Sequence, residues 1–218
     1  MKTIKNQKVK SGTVSRVLLE DMPRLSRGED TKAYQNKVIP VLKRIFGEHN
    51  VRKEWDVAKD AQDDYTRELY CPRIDVAVGP FNIDDNVGSN NLKIESALVR
   101  HKPLLARVAS LSEMKVGGID EFLAMRNRNP RCLLGIEIEN SGTRKHRFGD
   151  IANASIMGAV GIVVPLNQET LNSFVKLLKY ISFVTNAGKL RPSFNNVVVL
   201  SRTNFLKLLC RSRFDSIQ

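Results

Sequence analysis

The stretch Cys132–Ala154, CLLGIEIENSGTRKHRFGDIANA, decides how the rest of the chain reads. It opens as a strand: Leu134, Ile136 and Ile138 share one face, and Gly135, Glu137 and Glu139 share the other. Ser141-Gly142 makes a turn. A helix follows with Phe148, Ile151, Ala152 and Ser155 on one side. Gly149, Ala152 and Ala154 are small enough to let its backbone lie close to a sheet, and Gly158 can close it. The next run, Val160–Val164, is continuously apolar, as expected of a strand covered on both faces. Strand, helix, strand in this order is an α/β layout, with right-handed crossovers where strands run parallel.

The same logic extends in both directions. Asn167 caps a helix whose apolar stripe is Leu171, Phe174, Val175, Leu178 and Ile181. A last strand, Val197–Leu200, precedes a closing helix with Phe205, Leu206 and Leu209. Towards the N-terminus, CPRIDVAVGPF is a strand in which Ile74, Val76 and Val78 alternate with Asp75, Ala77 and Gly79, and Gly79-Pro80 ends it. Asn50–Val57 reads as a further strand. Before it, Ala33, Val38, Val41, Leu42, Ile45 and Phe46 form a helical stripe capped by Asp30 or Thr31 and ended by Gly47; Pro40 should kink or divide it. Residues 82–130 look like a helical insertion, with helices at about Lys93–Leu111 and Ile119–Asn127. It reads as a specificity or dimerisation element, or as a decorative helical pair. The expected fold is therefore α/β: a central mixed sheet flanked by helices, in one domain over 29–218, preceded by a basic segment over 1–28. Lys2, Lys5, Lys8, Lys10 and Arg16 make that segment a candidate arm along a phosphate backbone, or a loosely ordered tail.

The 218 residues suit one domain with a sizeable core. No apolar run reaches the roughly 20 residues of a membrane helix, and the basic N-terminus has no apolar run to make it a secretory signal. The formal net charge is +12, which points to a polyanion such as nucleic acid, with solubility as the plainer reading. Three scattered cysteines and three scattered histidines form no zinc or disulfide pattern, so a reduced, cytoplasmic setting and oxygen ligation of any metal are expected. No phosphate-binding loop, dinucleotide turn or GxSxG elbow is present.

Glu137 and Glu139 stand about 6.5–7 Å apart along one strand face. Two such acids are solvated on an exposed edge, or they repel unless a cation sits between them. With Asp75 on a neighbouring strand, the cation reading assigns Asp75 and Glu137 as ligands of Mg²⁺ or Mn²⁺, with the Ile138 carbonyl as a further oxygen. Glu139 is then a second ligand or the group that positions water. Such an ion lowers the pKa of a bound water and stabilises charge on phosphoryl oxygens. Arg144, Lys145 and Arg147 crowd a helix N-terminus, where positive charge opposes the helix dipole; they suit an anionic partner, or else Glu137 and Glu139 hold them. Glu54 is a candidate extra acid or a surface residue.

Helix, strand, a strand reading PRID, then a strand with IEIE and a helix resembles the PD-(D/E)XK nuclease superfamily, the restriction-endonuclease-like fold. Pro72 and Asp75 resemble the first motif element, with Arg73 and Ile74 between them. Glu137-Ile138-Glu139 resembles the second, with Glu139 where the family usually has Lys. The resemblance covers about residues 30–80 and 131–210. It implies a Mg²⁺-dependent endonuclease cleaving DNA, RNA not being excluded, in restriction, repair or defence. Lys145, six residues beyond Glu139, is a candidate replacement for the missing cation, or an ordinary solvated lysine. A homodimer supplies one site per strand to an enzyme that cuts both. Two other readings stand beside it: a non-catalytic nucleic-acid-binding module on the same fold, and an assembly subunit whose positive charge meets an acidic protein.

Overall fold

The computed structural model describes residues 30–60, 71–83, 89–140, 142–190 and 194–215. The proposed basic arm over 1–28 lies outside the described residues. Five strands form one mixed sheet in the order β1-β2-β3-β4-β5. They are β1 (Val51–Trp55), β2 (Ile74–Phe81), β3 (Cys132–Glu139), β4 (Gly158–Pro165) and β5 (Val197–Val199). β1–β2 and β2–β3 are antiparallel; β3–β4 and β4–β5 are parallel. Helix α6 (Arg144–Met157) connects β3 to β4, and α7 (Gln168–Asn186) connects β4 to β5.

Helices cover both faces of the sheet. One face meets α1 (Thr31–Phe46), α3 (Ser89–Arg100), α4 (Lys102–Leu111) and α8 (Arg202–Asp215), through Val38, Leu42, Leu98, Leu105, Val108 and Phe205. The other meets α6 and α7, through Ile151, Ala154, Met157, Phe174, Leu178 and Ile181. β4 is buried along its whole length, which is why its sequence is unbroken apolar rather than alternating. Two short helices, α2 (Val57–Asp60) and α5 (Ile119–Ala124), and a 3₁₀ turn over Glu48–Asn50 complete the described elements.

Helix α6 lies unusually close to the sheet. A Cβ added at Gly135 would stand 3.1 Å from the Ala154 carbonyl oxygen, and one at Gly161 would stand 2.9 Å from it. Glycines at these two strand positions let the backbone of α6 settle onto β3 and β4.

Several sequence expectations need correction. α1 runs unbroken through Pro40. Pro40 is exposed, as is Asn36, whose carbonyl loses its helical donor and can turn to water instead. β2 does not end at Gly79-Pro80 but continues across that cis bond to Phe81, with a register shift against β3 between Val78 and Phe81. The long helix expected at Lys93–Leu111 is two helices, α3 and α4, meeting at His101. Pro103 cannot donate to the preceding turn and serves instead in the first turn of α4. These helices are not decoration, because Ile94, Leu98, Leu105 and Val108 join the main core. Phe148, expected on the buried side of α6, is 42% exposed and packs edge-on against Phe194 with ring centroids 5.8 Å apart.

Ile74 does not share the face of Val76 and Val78. It packs with Trp55, its partner across β1, on the side of α6 and α7. β1 carries an irregularity at the matching place, where Glu54 adopts φ 48°. A left-handed residue breaks the two-residue alternation. Val51 before it therefore faces one core and Trp55 after it faces the other.

Candidate active site

Asp75 and Glu137 come together where β2 and β3 part. The ladder pairs Val76 with Ile136 and Ala77 with Gly135. One residue further on, side chains take over the work of the ladder. The Asp75 N–H donates to Glu137 Oε2 at 3.4 Å, and the Ile138 N–H donates to Asp75 Oδ2 at 2.8 Å. A strand residue directs its N–H and C=O to the same neighbour, so the Ile138 carbonyl lies on the Asp75 side as well.

Glu137 is only 5% exposed, and its Oε1 has no hydrogen-bond partner among the described residues. A buried carboxylate oxygen without a partner is costly. Burial first, and then the charges of Asp75 and Asp150, hold the Glu137 carboxyl well above the usual carboxylate range; hydrogen bonds from Asn153 and the Asp75 N–H oppose the rise. Burial also pushes Asp75 up to about 6, against the pull of the Ile138 N–H, with Glu54 and Glu139 adding repulsion. Glu54 itself is held by Arg73, whose Nε lies 3.0 Å away.

Asp150 and Asn153 were not singled out in the sequence, and they belong to this site. They occupy one face of α6 with Arg147, at intervals of three residues. α6 returns over β3, so Asn153 reaches Glu137 while Asp150, one turn earlier, stands towards Glu139. Burial, followed by repulsion from Glu139 and Asp75, raises Asp150 to about 7; Arg147 opposes this. Asp150 Oδ2 is buried without a partner among the described residues. The available signal was the polar triplet in RFGDIAN, which reads at first as the solvated side of a helix.

The remaining predicted residues divide. Glu139 is half-buried at the end of β3, where its carbonyl accepts from the Leu166 N–H at 2.8 Å. Arg147 is half-buried, and its Nη1 donates to Ser173 Oγ on α7 at 2.7 Å. Arg144 and Lys145 are exposed in the first turn of α6. Thr143 caps that helix by accepting from the His146 N–H at 3.4 Å.

Among the described residues, no group of three or more His, Cys, Asp or Glu side chains is arranged to hold a metal ion. A two-carboxylate site remains compatible with Mg²⁺, which commonly takes one or two carboxylates and fills its other positions with water and phosphate oxygens. Among the described residues, no helix is long and apolar enough to cross a membrane.

Compared with known proteins, the chain matches no family, no curated protein and no solved structure.

Proposed function

We propose that the protein is a Mg²⁺- or Mn²⁺-dependent endonuclease of the PD-(D/E)XK type, acting on DNA phosphodiester bonds. The observation that carries this reading is the meeting of Asp75 with Glu137, a buried carboxylate with one oxygen unsatisfied. The order α1, β1, β2, β3, α6, β4 around that point supports it, because the resemblance rests on the same succession with acids on the second and third strands.

Asp75 and Glu137 would hold the cation, with the Ile138 carbonyl on the same side. A bound divalent ion would supply charge stabilisation to the phosphoryl oxygens and acidify a water. The protein's own part is orientation. The Ile138 N–H fixes one Asp75 oxygen, and the Asp75 N–H holds one oxygen of the Glu137 carboxylate. Glu139 and Asp150 would serve as acceptors of a proton from water. Arg147 is a cation held in a fixed position by Ser173, and its charge acts on Asp150. It is a better candidate than the exposed Lys145 for the role that the family's lysine usually fills. Arg144 and Lys145 serve the phosphate backbone.

The test is cleavage of supercoiled plasmid with Mg²⁺ or Mn²⁺ by wild type, Asp75→Asn and Glu137→Gln. Cutting by wild type alone supports the proposal. Equal DNA binding by all three with no cutting by any refutes it in favour of a binding module. A DNA affinity that hardly responds to salt would instead point to the assembly subunit.

A further inference from the structure

Helix α7 has two opposed faces. Leu171, Phe174, Leu178 and Ile181 recur three and four residues apart and are buried. On the other side Lys176, Lys179, Tyr180 and Phe183 recur at the same spacing, and all four are exposed. At 100° per residue these four fall within an arc of about 100°. Tyr180 is 63% exposed and Phe183 68%. Single exposed apolar side chains are ordinary on a protein surface. Two aromatic rings a turn apart, interleaved with two lysines on one helical face, are a more specific arrangement.

The start of α7 is also linked to the acids through Arg147. Ser173, one turn before Lys176, accepts from Arg147, and Arg147 acts on Asp150. From Ser173 to Phe183 the helix rises about 15 Å. The far end of β3 is tied to the start of α7, because the Asn167 side chain caps that helix and donates to Asn140. The helix face and the acids are thus held on one frame.

We propose that the outer face of α7 binds a single-stranded segment of nucleic acid, with bases stacking on Tyr180 and Phe183 and phosphates meeting Lys176 and Lys179. The role of this surface in feeding a strand towards Asp75 and Glu137 rests on the nuclease reading; the binding itself does not. A duplex keeps its base faces inside the stack, so exposed rings suit unstacked bases. The partner's charge follows from the protein's net +12 and from the two lysines on this face, Lys176 and Lys179. A bilayer fits less well, because an interfacial helix sinks its apolar face into lipid, and the apolar face of α7 is already buried in the core.

The experiment is fluorescence polarisation of a labelled oligothymidylate and of a hairpin duplex, using the full chain in EDTA. Wild type should prefer the single strand. Tyr180→Ala and Phe183→Ala should each weaken oligothymidylate binding about 5- to 100-fold, leaving the duplex unchanged. Lys176→Gln with Lys179→Gln should flatten the slope of log affinity against log salt by about 1.4. Wild-type binding of oligothymidylate by both aromatic variants overturns the proposal. So does loss of binding to phosphatidylserine vesicles in those variants with oligothymidylate binding intact. Plasmid cleavage by wild type and Asp75→Asn separates the two proposals. Aromatic-dependent binding without cleavage by either protein keeps this surface and removes the nuclease. Asp75-dependent cleavage with normal binding by the aromatic variants does the reverse.

Discussion

Asp75 and Glu137 are joined through the backbone of one and the carboxylate of the other: the Asp75 N–H donates to Glu137 Oε2 at 3.4 Å. Each acid is therefore fixed by main chain while its charge is opposed by the other.

This opposition makes stability depend on pH. Asp75 titrates at about 6 when folded, against 3.8 as a free side chain, and Glu137 and Asp150 are shifted the same way. A carboxyl with a raised folded pKa favours the fold below its unfolded value, and that advantage is lost as pH rises through the folded value. In EDTA the contribution of these acids should fall from about pH 4 to about pH 7 and level off towards pH 8; Asp75 accounts for about 3 kcal/mol over the whole span and about 1.4 kcal/mol of it between pH 5 and pH 8. Asp75→Asn and Glu137→Gln should flatten the profile. Urea unfolding at pH 5, 6, 7 and 8 measures it, and equal slopes in all three proteins would contradict it.

A divalent cation should reverse that trend. Mn²⁺ competes with protons for the same oxygens, so it should raise Tm more at pH 8 than at pH 5.5. At a hundred times Kd the gain is about 2.7 kcal/mol. Glu137→Gln should lose it at every pH. Thermal denaturation with Mn²⁺ against a Na⁺ control decides the matter; a shift that survives Glu137→Gln would place the ion elsewhere.

The close seat of α6 gives a packing prediction. In Gly161→Ala the new methyl meets the main chain of Ala154 at 2.9 Å, which no rotamer change can relieve. The substitution should cost about 1–3 kcal/mol. Because α6 carries Asp150 and Asn153, metal-dependent activity should fall with it. An unchanged denaturation midpoint would show that the helix stands further from the sheet.

Arg147 and Lys145 should behave differently. Lys145→Ala removes an exposed charge; stability should stay within about 0.5 kcal/mol, and DNA affinity should lose about one unit of salt slope. Arg147→Ala breaks the bond to Ser173 and should cost about 1.5–3 kcal/mol. It should also raise the Asp150 carboxyl further, moving the acid limb of any pH–rate profile upwards. Arg147→Lys keeps the charge but not the fork, so a pH limb restored without restored stability separates the two roles.

Much of this architecture could be read from residue patterns, and the exceptions have physical reasons. β3, α6 and β4 were legible because strict alternation, a small-residue helix and an unbroken apolar strand each leave a distinct period. The neighbouring strands of Asp75 and Glu137 followed from that order. Pro80 misled because proline usually closes a strand, and here β2 runs on to Phe81. The helices over 89–111 looked like an appendage because sequence distance hides that Leu98 and Leu105 fill the same core as Val38. Asp150 and Asn153 were invisible for a different reason. A polar triplet on a helix signals solvent unless the chain beneath it is known to carry buried acids.

The left-handed Glu54 interrupts β1, whose outer side is also marked by charges at Arg52 and Lys53, and β5 at the opposite margin is three residues long. Neither margin offers a long, flat, uncharged rail of amides for another sheet to extend. Edge-to-edge pairing and fibril-like stacking from the described strands are therefore disfavoured from the outset.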